Sequence, residues 1–262
     1  MSWILLLDVG NTNLKLTLAD SQGFKRVIKL PSEIRETSDS LGLKLVQYCS
    51  LQKVNLQSIR AWIVSSVVPM LDSTIAVACR EFCGCPCYFV PADLKVPVNN
   101  LYQRPSEVGS DRLITAYAAR RLYQTRALII IDFGTATTFD CMTEDNYLGG
   151  LICPGLHSSI RALSTQTAKL PQFCLEYASQ DLELGRSTVQ SLSQGTLFGF
   201  ADMVEGLSSR LKNKLGPPVT VIGTGGVVEK LARFCPSMNE VRPDLLLTGL
   251  SLLARDHNLF DR

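Results

Sequence analysis

The chain has 262 residues, 46% of them hydrophobic and 19% charged, with a formal net charge of +2, a profile that excludes disorder and describes an ordinary globular protein. The pI is about 8.1 and no Lys/Arg block exceeds a pair, so partnership with nucleic acid or an anionic membrane surface is not expected. No apolar run approaches the ~20 residues of a membrane span and the N-terminal one lacks a signal peptide's basic start, so a cytoplasmic protein is expected. Its nine cysteines are read as free thiols, since nine is odd and a chain this long needs no disulfide staples.

Ile4-Leu5-Leu6-Leu7 reads as a buried strand over 3–8, and Leu14-Lys15-Leu16-Thr17-Leu18, alternating with period two, as a half-exposed strand over 14–19. Between them Gly10, Asn11 and Asn13 suit a hairpin tip. A strand near 24–30, a helix over 40–53, a strand over 60–66 and a helix over 70–83 follow. Cys83-Gly84-Cys85-Pro86-Cys87, with Cys79 one helical turn upstream, reads as a turn feeding a strand over 87–90. As a metal site it lacks a second ligand pair, because only His157 and His257 could add to it. The loop from Pro91 to Pro105 is the longest irregular stretch, and loops of that length often carry function.

The second half brings helices over 111–124, 155–168, 189–214, 227–234 and 244–256, and strands over 127–132, 138–142, 147–153 and 218–222. Hairpin-joined strands mixed with strand–helix units imply an α/β protein with mixed sheets. Leu128 to Asp140 repeats the opening pattern: apolar run, Asp132, Phe133, Gly134, small hydroxyl residues, then another strand. Asp132 stands 124 residues after Asp8, close to half the chain, which points to a duplicated domain over 1–124 and 125–262.

Consecutive backbone N–H groups in such a turn form an anion-binding concavity, which suits phosphate. An acid beside phosphate requires a cation, and Mg²⁺ is the usual companion of a nucleoside triphosphate. Lys15 is either a phosphate ligand or a solvated strand lysine. No P-loop motif occurs. Val219 to Gly226, a strand running into Gly223-Thr224-Gly225-Gly226 and then a helix, is a further candidate for close approach to a nucleotide.

Together these features resemble the acetate kinase, sugar kinase, heat-shock ATPase and actin superfamily. A closer resemblance is to type III pantothenate kinases. Asp8-Val9-Gly10-Asn11-Thr12 is similar to that family's first phosphate motif, Asp132-Phe133-Gly134-Thr135-Ala136 to its second, and Tyr102 to Arg112, ending Gly109-Ser110-Asp111-Arg112, to its substrate motif. Tyr147-Leu148-Gly149-Gly150 with Pro154-Gly155, then Gly185-Arg186-Ser187-Thr188, and Thr224-Gly225-Gly226 follow in family order. Arg104 departs from the usual asparagine, Ser110 from alanine, and His157 from a polar residue such as glutamine.

The resemblance implies two duplicated actin-like, ribonuclease H-like domains with mixed sheets flanked by helices and an ATP cleft between them. It implies ATP-dependent phosphorylation of pantothenate, with Asp111 as the catalytic base. ATP falls to Asp8, Val9, Gly10, Asn11, Thr12, Asn13, Leu14 and Lys15, with Thr135, Gly225 and Gly226. Pantothenate falls to Tyr102, Gly109, Ser110, Asp111, Arg112 and Thr188. Asp132 carries a monovalent cation, K⁺ or NH₄⁺, and Asp8 holds Mg²⁺ through water. Asp111 and Thr188 both keep a second reading as helix caps. A homodimer is implied by the family and by the apolar Leu192, Leu197, Phe198, Met203, Val204 and Leu207 of the 189–214 helix. The alternatives are a non-catalytic regulator of the Bvg accessory factor branch and a kinase of another small hydroxy acid or sugar.

Overall fold

The apolar run that opens the chain forms β1 (Trp3–Val9), buried along its whole length, as a strand must be when both faces of its sheet are covered. The computed structural model describes residues 2–166, 170–171, 173, 175 and 181–260. After β1 come β2 (Asn13–Ala19), β3 (Ile28–Pro31), α1 (Ser38–Gln52), β4 (Ile59–Ser66), α2 (Pro69–Phe82), β5 (Cys87–Val90), β6 (Asn99–Asn100) and α3 (Ser110–Leu122). The chain continues through β7 (Ala127–Phe133), β8 (Ala136–Thr143), β9 (Asn146–Pro154), α4 (Leu156–Gln166) and α5 (Thr188–Leu215). It closes with β10 (Val219–Gly225), α6 (Val228–Leu231), β11 (Glu240–Val241) and α7 (Leu245–Asp256).

Contacts group the described residues into two units. The first holds residues up to Val98, Arg104–Ala118 and those from Leu246 on; the second holds Asn99–Gln103 and those between Ala119 and Leu245. The first sheet has the order β3-β2-β1-β4-β5 and the second β11-β10-β7-β8-β9-β6. Reversed, the second repeats the first: an antiparallel three-strand meander whose first strand pairs in parallel with a fourth, which pairs in parallel with a fifth. The added edge strand is β6, paired with β9. The duplication read from the two Asp-x-Gly hairpins is therefore repeated in strand order.

In the first unit the pleat of β1 sorts its side chains. Leu5, Leu7 and Val9 pack with Leu41, Leu45 and Tyr48 of α1 and Leu71 and Ile75 of α2. Ile4 and Leu6 pack with Ile114 and Tyr117 of α3 and with Leu246, Leu247, Leu250 and Leu253 of α7. The last helix thus covers the first sheet, whereas a division at 124/125 would assign it to the second half. Its leucine-rich sequence satisfies an apolar sheet face that no helix of residues 1–98 reaches. In the second unit, Ile129, Ile131, Phe133 and Phe139 pack under Leu197, Phe200 and Val204 of α5 and Val228 and Leu231 of α6.

The alternation in β2 is kept only in part. Thr17 is fully buried, its hydroxyl donating to the Lys25 carbonyl at 2.9 Å, because the chain after β2 folds back across it and shortens the strand expected over 24–30 to Ile28–Pro31. The helix expected over 155–168 is described as far as Gln166, and its last two residues lie outside the described ones. Among the described residues no helix is long and apolar enough to cross a membrane.

Candidate active site

The first hairpin places Asp8 beside Lys15 in cross-strand register, with Lys15 Nζ 3.0 Å from Asp8 Oδ2. Gly10 N–H donates to the Asn13 carbonyl at 3.0 Å and closes the turn. Asn11, Thr12 and Asn13 form an exposed tip, while Val9 and Leu14 turn their side chains into the core. These last two leave only backbone atoms for a ligand. Lys15 is neither wholly solvated nor aimed away from the turn: it pairs with the acid that the sequence singled out, at 22% side-chain exposure.

On its other side Asp8 lies in register with Ser65 of β4. The Ser65 hydroxyl is 3.1 Å from that of Ser110, which also donates to the Ser66 carbonyl at 3.3 Å. These contacts fasten the first turn of α3 to the end of β4, so the Gly109-Ser110-Asp111-Arg112 motif stands one strand away from Asp8. The hydroxyl of Ser110 makes that fastening. The helix begins at Ser110, so Asp111 lies inside the first turn. Its Oδ1 accepts the Arg112 N–H at 2.8 Å and lies over Gly109, where a Cβ would stand 2.4 Å from it. Arg112 is only 9% exposed.

The second hairpin closes with Gly134 N–H donating to the Ala136 carbonyl at 3.1 Å. Here Asp132 occupies the place of Asp8, in register with Thr224 of β10 as Asp8 is with Ser65. Gly225 has φ +98, and a Cβ there would fall 2.5 Å from Asp132 Oδ1 and 2.7 Å from both N and O of Phe133. Only glycine lets the β10 loop press this closely on the hairpin. Gly226 N–H continues the contact by donating to the Phe133 carbonyl at 3.3 Å. From the other side Gly155 closes on the tip, within 2.3 Å of the Thr135 carbonyl at its Cβ position, and Ser158 Oγ donates to that carbonyl at 2.7 Å. Asp132, Thr135, Gly225 and Gly226 thus form one cluster.

Tyr102 belongs to the second unit, its ring lying over Gly149 of β9 at 3.1 Å from the Cβ position. Thr188 is exposed at the first residue of α5, and the cap is Ser187, whose hydroxyl accepts from Gln190 N–H at 3.2 Å. The helix residues expected to supply dimer surface are largely spent within the unit. Leu197 and Val204 are core, and Phe198, Met203 and Leu207 pack against it. What α5 leaves open is a cavity of about 400 Å³ against α4, lined by Leu163, Leu192, Gly195, Gly199, Phe200 and Met203 among others.

Sequence reading did not pick out Ser65, Ser66 or Ser158. Their signal was present, since Val64-Ser65-Ser66 ends a buried strand in hydroxyls just as Ile222-Gly223-Thr224 does. It also passed over the buried Asp140, which accepts from Tyr147 Oη at 2.7 Å and from Thr138 Oγ1 at 3.1 Å. Among the described residues no group of three or more His, Cys, Asp or Glu is arranged to hold a metal ion.

The type III pantothenate kinase family model matches residues 4–210. A type III pantothenate kinase of Nitratidesulfovibrio vulgaris strain DP4 is 47% identical over 251 residues, covering 95% of this chain and 96% of the relative. The fold is shared with a Campylobacter jejuni protein described as a Baf family transcriptional activator, at TM-score 0.63, 18% identity and 97% and 99% coverage of the two chains. It is also shared with a ROK family glucokinase of Streptomyces griseus solved with glucose and AMPPNP, at TM-score 0.52, 14% identity and 97% and 100% coverage. With a family match over most of its length and a relative nearly half identical from end to end, the chain belongs to the type III pantothenate kinase family.

Proposed function

We propose that this protein transfers the terminal phosphoryl group of ATP to the primary hydroxyl of pantothenate, forming 4′-phosphopantothenate on the route to coenzyme A. The observation that carries the reading is the fastening of Ser110 to Ser65, which brings the Asp111-Arg112 motif to the end of the strand in register with Asp8. Phosphoryl transfer depends on positioning and charge neutralisation more than on covalent chemistry by the protein. The turn amides of Gly10 to Asn13 would hold ATP phosphates, and Lys15 adds positive charge at the same turn. Thr135 would bind phosphate in the second hairpin, with Gly225 and Gly226 approaching the nucleotide.

Asp111 would accept the pantothenate hydroxyl proton late in the transfer, when even an ordinary carboxylate is basic enough. Arg112 would clamp the pantothenate carboxylate, a role for which a planar two-pronged donor is suited. Tyr102 and Thr188 would complete the pocket. Mg²⁺, when bound, would supply neutralisation at the phosphates, and Asp8, paired with Lys15 at the same turn, would hold it through water. The purified protein, ATP, Mg²⁺ and a panel of hydroxy acids test the reading by ADP release. Release with pantothenate supports it; release with another hydroxy acid alone makes the chain a different kinase, and none with any favours a regulatory relative.

A monovalent cation belongs to the same reading. Asp132 of the second hairpin, whose carboxylate lies against Gly225, would hold it. K⁺ or NH₄⁺ is expected to activate strongly over Na⁺, and equal turnover in sodium-only and potassium buffers would remove this role from Asp132.

The protein would act in the cytoplasm as a homodimer. The open cavity between α4 and α5, with Leu163 in its lining 38% exposed, is the surface a second copy would cover. Light scattering is expected to give twice the 28.8 kDa chain mass. A fully active monomer would overturn the assignment.

A further inference from the structure

The turn between α2 and β5 gathers four thiols that the proposed reaction does not use. Cys79 is fully buried in the last turns of α2, and Cys83, Cys85 and Cys87 are half-buried. Gly84 takes the left-handed conformation at φ +61, and its N–H reaches the Cys79 and Arg80 carbonyls, each at 3.1 Å. That cap folds the chain back over the helix end. It sets Cys79 Sγ 3.7 Å from Cys85 Sγ, 3.2 Å from the Cys85 carbonyl and 3.8 Å from the Pro86 carbonyl.

We propose that Cys79 and Cys85 form a reversible thiol–disulfide site, oxidised by a hydroperoxide and reduced by a dithiol. A disulfide spans about 2.0 Å between sulfurs, so the two sulfurs, 3.7 Å apart, must close on each other to form it. The two thiols are also unequal. Hydrogen bonds from Cys79 and Cys83 pull the Cys85 thiol down against the opposing effect of burial, while its bonds to Cys85 and Cys87, with burial, push Cys79 up. Cys85, half-buried where Cys79 is fully buried, is the thiol a peroxide can reach, so Cys85 attacks and Cys79 resolves.

The electron count closes with the peroxide as oxidant. Cys85 Sγ attacks a peroxide oxygen, an S–O bond forms as the O–O bond breaks, and the departing hydroxide or alkoxide takes a proton to leave as water or alcohol. Cys79 then loses its proton as its Sγ attacks the sulfenic sulfur. The S–S bond forms, the S–O bond breaks, and a second water leaves. The pair gives up two electrons and the peroxide receives them. A dithiol reverses the change by exchange and is itself oxidised to a disulfide. The link would tie the end of α2 to the turn entering β5, the edge strand next to β4.

Peptide mapping tests this on the full chain. The protein is treated with hydrogen peroxide, remaining thiols are alkylated, and a non-reducing tryptic digest is sequenced by mass spectrometry. Cleavage after Arg60, Arg80 and Lys95 puts Cys79 in the peptide 61–80 and the other three cysteines in 81–95. The expected product is these two peptides joined through Cys79 and Cys85, separated again by dithiothreitol. Cys85→Ser, at a half-buried position, is expected to fold, to retain ADP release and to lose every link from Cys79. A link in the parent through Cys83 or Cys87 would overturn the assignment, as would oxidation to sulfinic acid with no link. So would zinc retained by the freshly purified chain at one equivalent with all four thiols shielded from alkylation, which would make the cluster a metal site instead.

Discussion

The Asp111→Asn enzyme is expected to phosphorylate pantothenate about 10²–10⁴ times more slowly than the parent, the usual contribution of a positioned acid–base group, with its melting temperature nearly unchanged. The substitution is close to isosteric, and an amide oxygen can still accept the Arg112 N–H that Asp111 Oδ1 accepts at 2.8 Å. What disappears is proton affinity and one negative charge in the first turn of α3, the latter worth about 0.3–1 kcal/mol to the helix. Arg112→Lys separates the neighbouring role. A lysine retains charge at a position only 9% exposed but cannot make the two-pronged contact. It is expected to raise the KM for pantothenate several-fold and to leave the KM for ATP near its parent value, as loss of a ground-state contact to one substrate should. Steady-state kinetics of both variants, beside their melting curves, decide between catalysis and helix support. A normal kcat in Asp111→Asn would leave Asp111 a purely structural residue.

Gly225→Ala is expected to destabilise the second unit far more than Gly226→Ala beside it. At φ +98 the backbone itself is unfavourable for a side chain, and the added Cβ would stand 2.5 Å from Asp132 Oδ1 and 2.7 Å from backbone atoms of Phe133. Strain and overpacking each cost about 1–3 kcal/mol, and because the obstruction includes strand backbone, no flexible side chain can give way. Gly226→Ala supplies the internal comparison, since nothing lies within 4 Å of its Cβ position; a change within about 0.5 kcal/mol is expected there. Urea unfolding of the three proteins checks the contrast. The Gly225 variant should also lose response to K⁺, because relief of the clash must move Asp132 or the β10 loop. Equal midpoints for the two variants would show that the loop does not press on the hairpin as described.

Most elements were legible because their signals are local. Leu5 to Leu7 and Leu128 to Ile131 are short apolar runs ended by Asp-x-Gly, and that length with a turn signal behind it favours a buried strand. The same locality explains the helices: Thr37 and Ser187 stand at N-caps, and their hydroxyls accept from Ser40 and Gln190 N–H at 3.2 Å. The cap reading of Thr188 missed by one residue because two neighbouring hydroxyls carry the same signal. The two-residue strands β6 and β11 carried no signal, since their pairing is supplied by β9 and β10.

The sequence by itself determined the α/β class, the duplication and the two hairpin tips, all of which depend on short-range periodicity and turn chemistry. Only the tertiary structure decided that α7 returns to the Ile4 and Leu6 face of the first sheet, that Tyr102 packs on Gly149 of the second, and that Ser65 holds Ser110 beside the Asp8 strand. It also decided that Lys15 pairs with Asp8 and that most of α5's apolar residues are absorbed by the second core. Apart from the hairpin pair Lys15–Asp8, these are contacts between residues tens to hundreds of positions apart. An apolar face or a hydroxyl announces a need for a partner, but which partner meets it depends on how the whole chain crosses itself, and no local pattern encodes that choice.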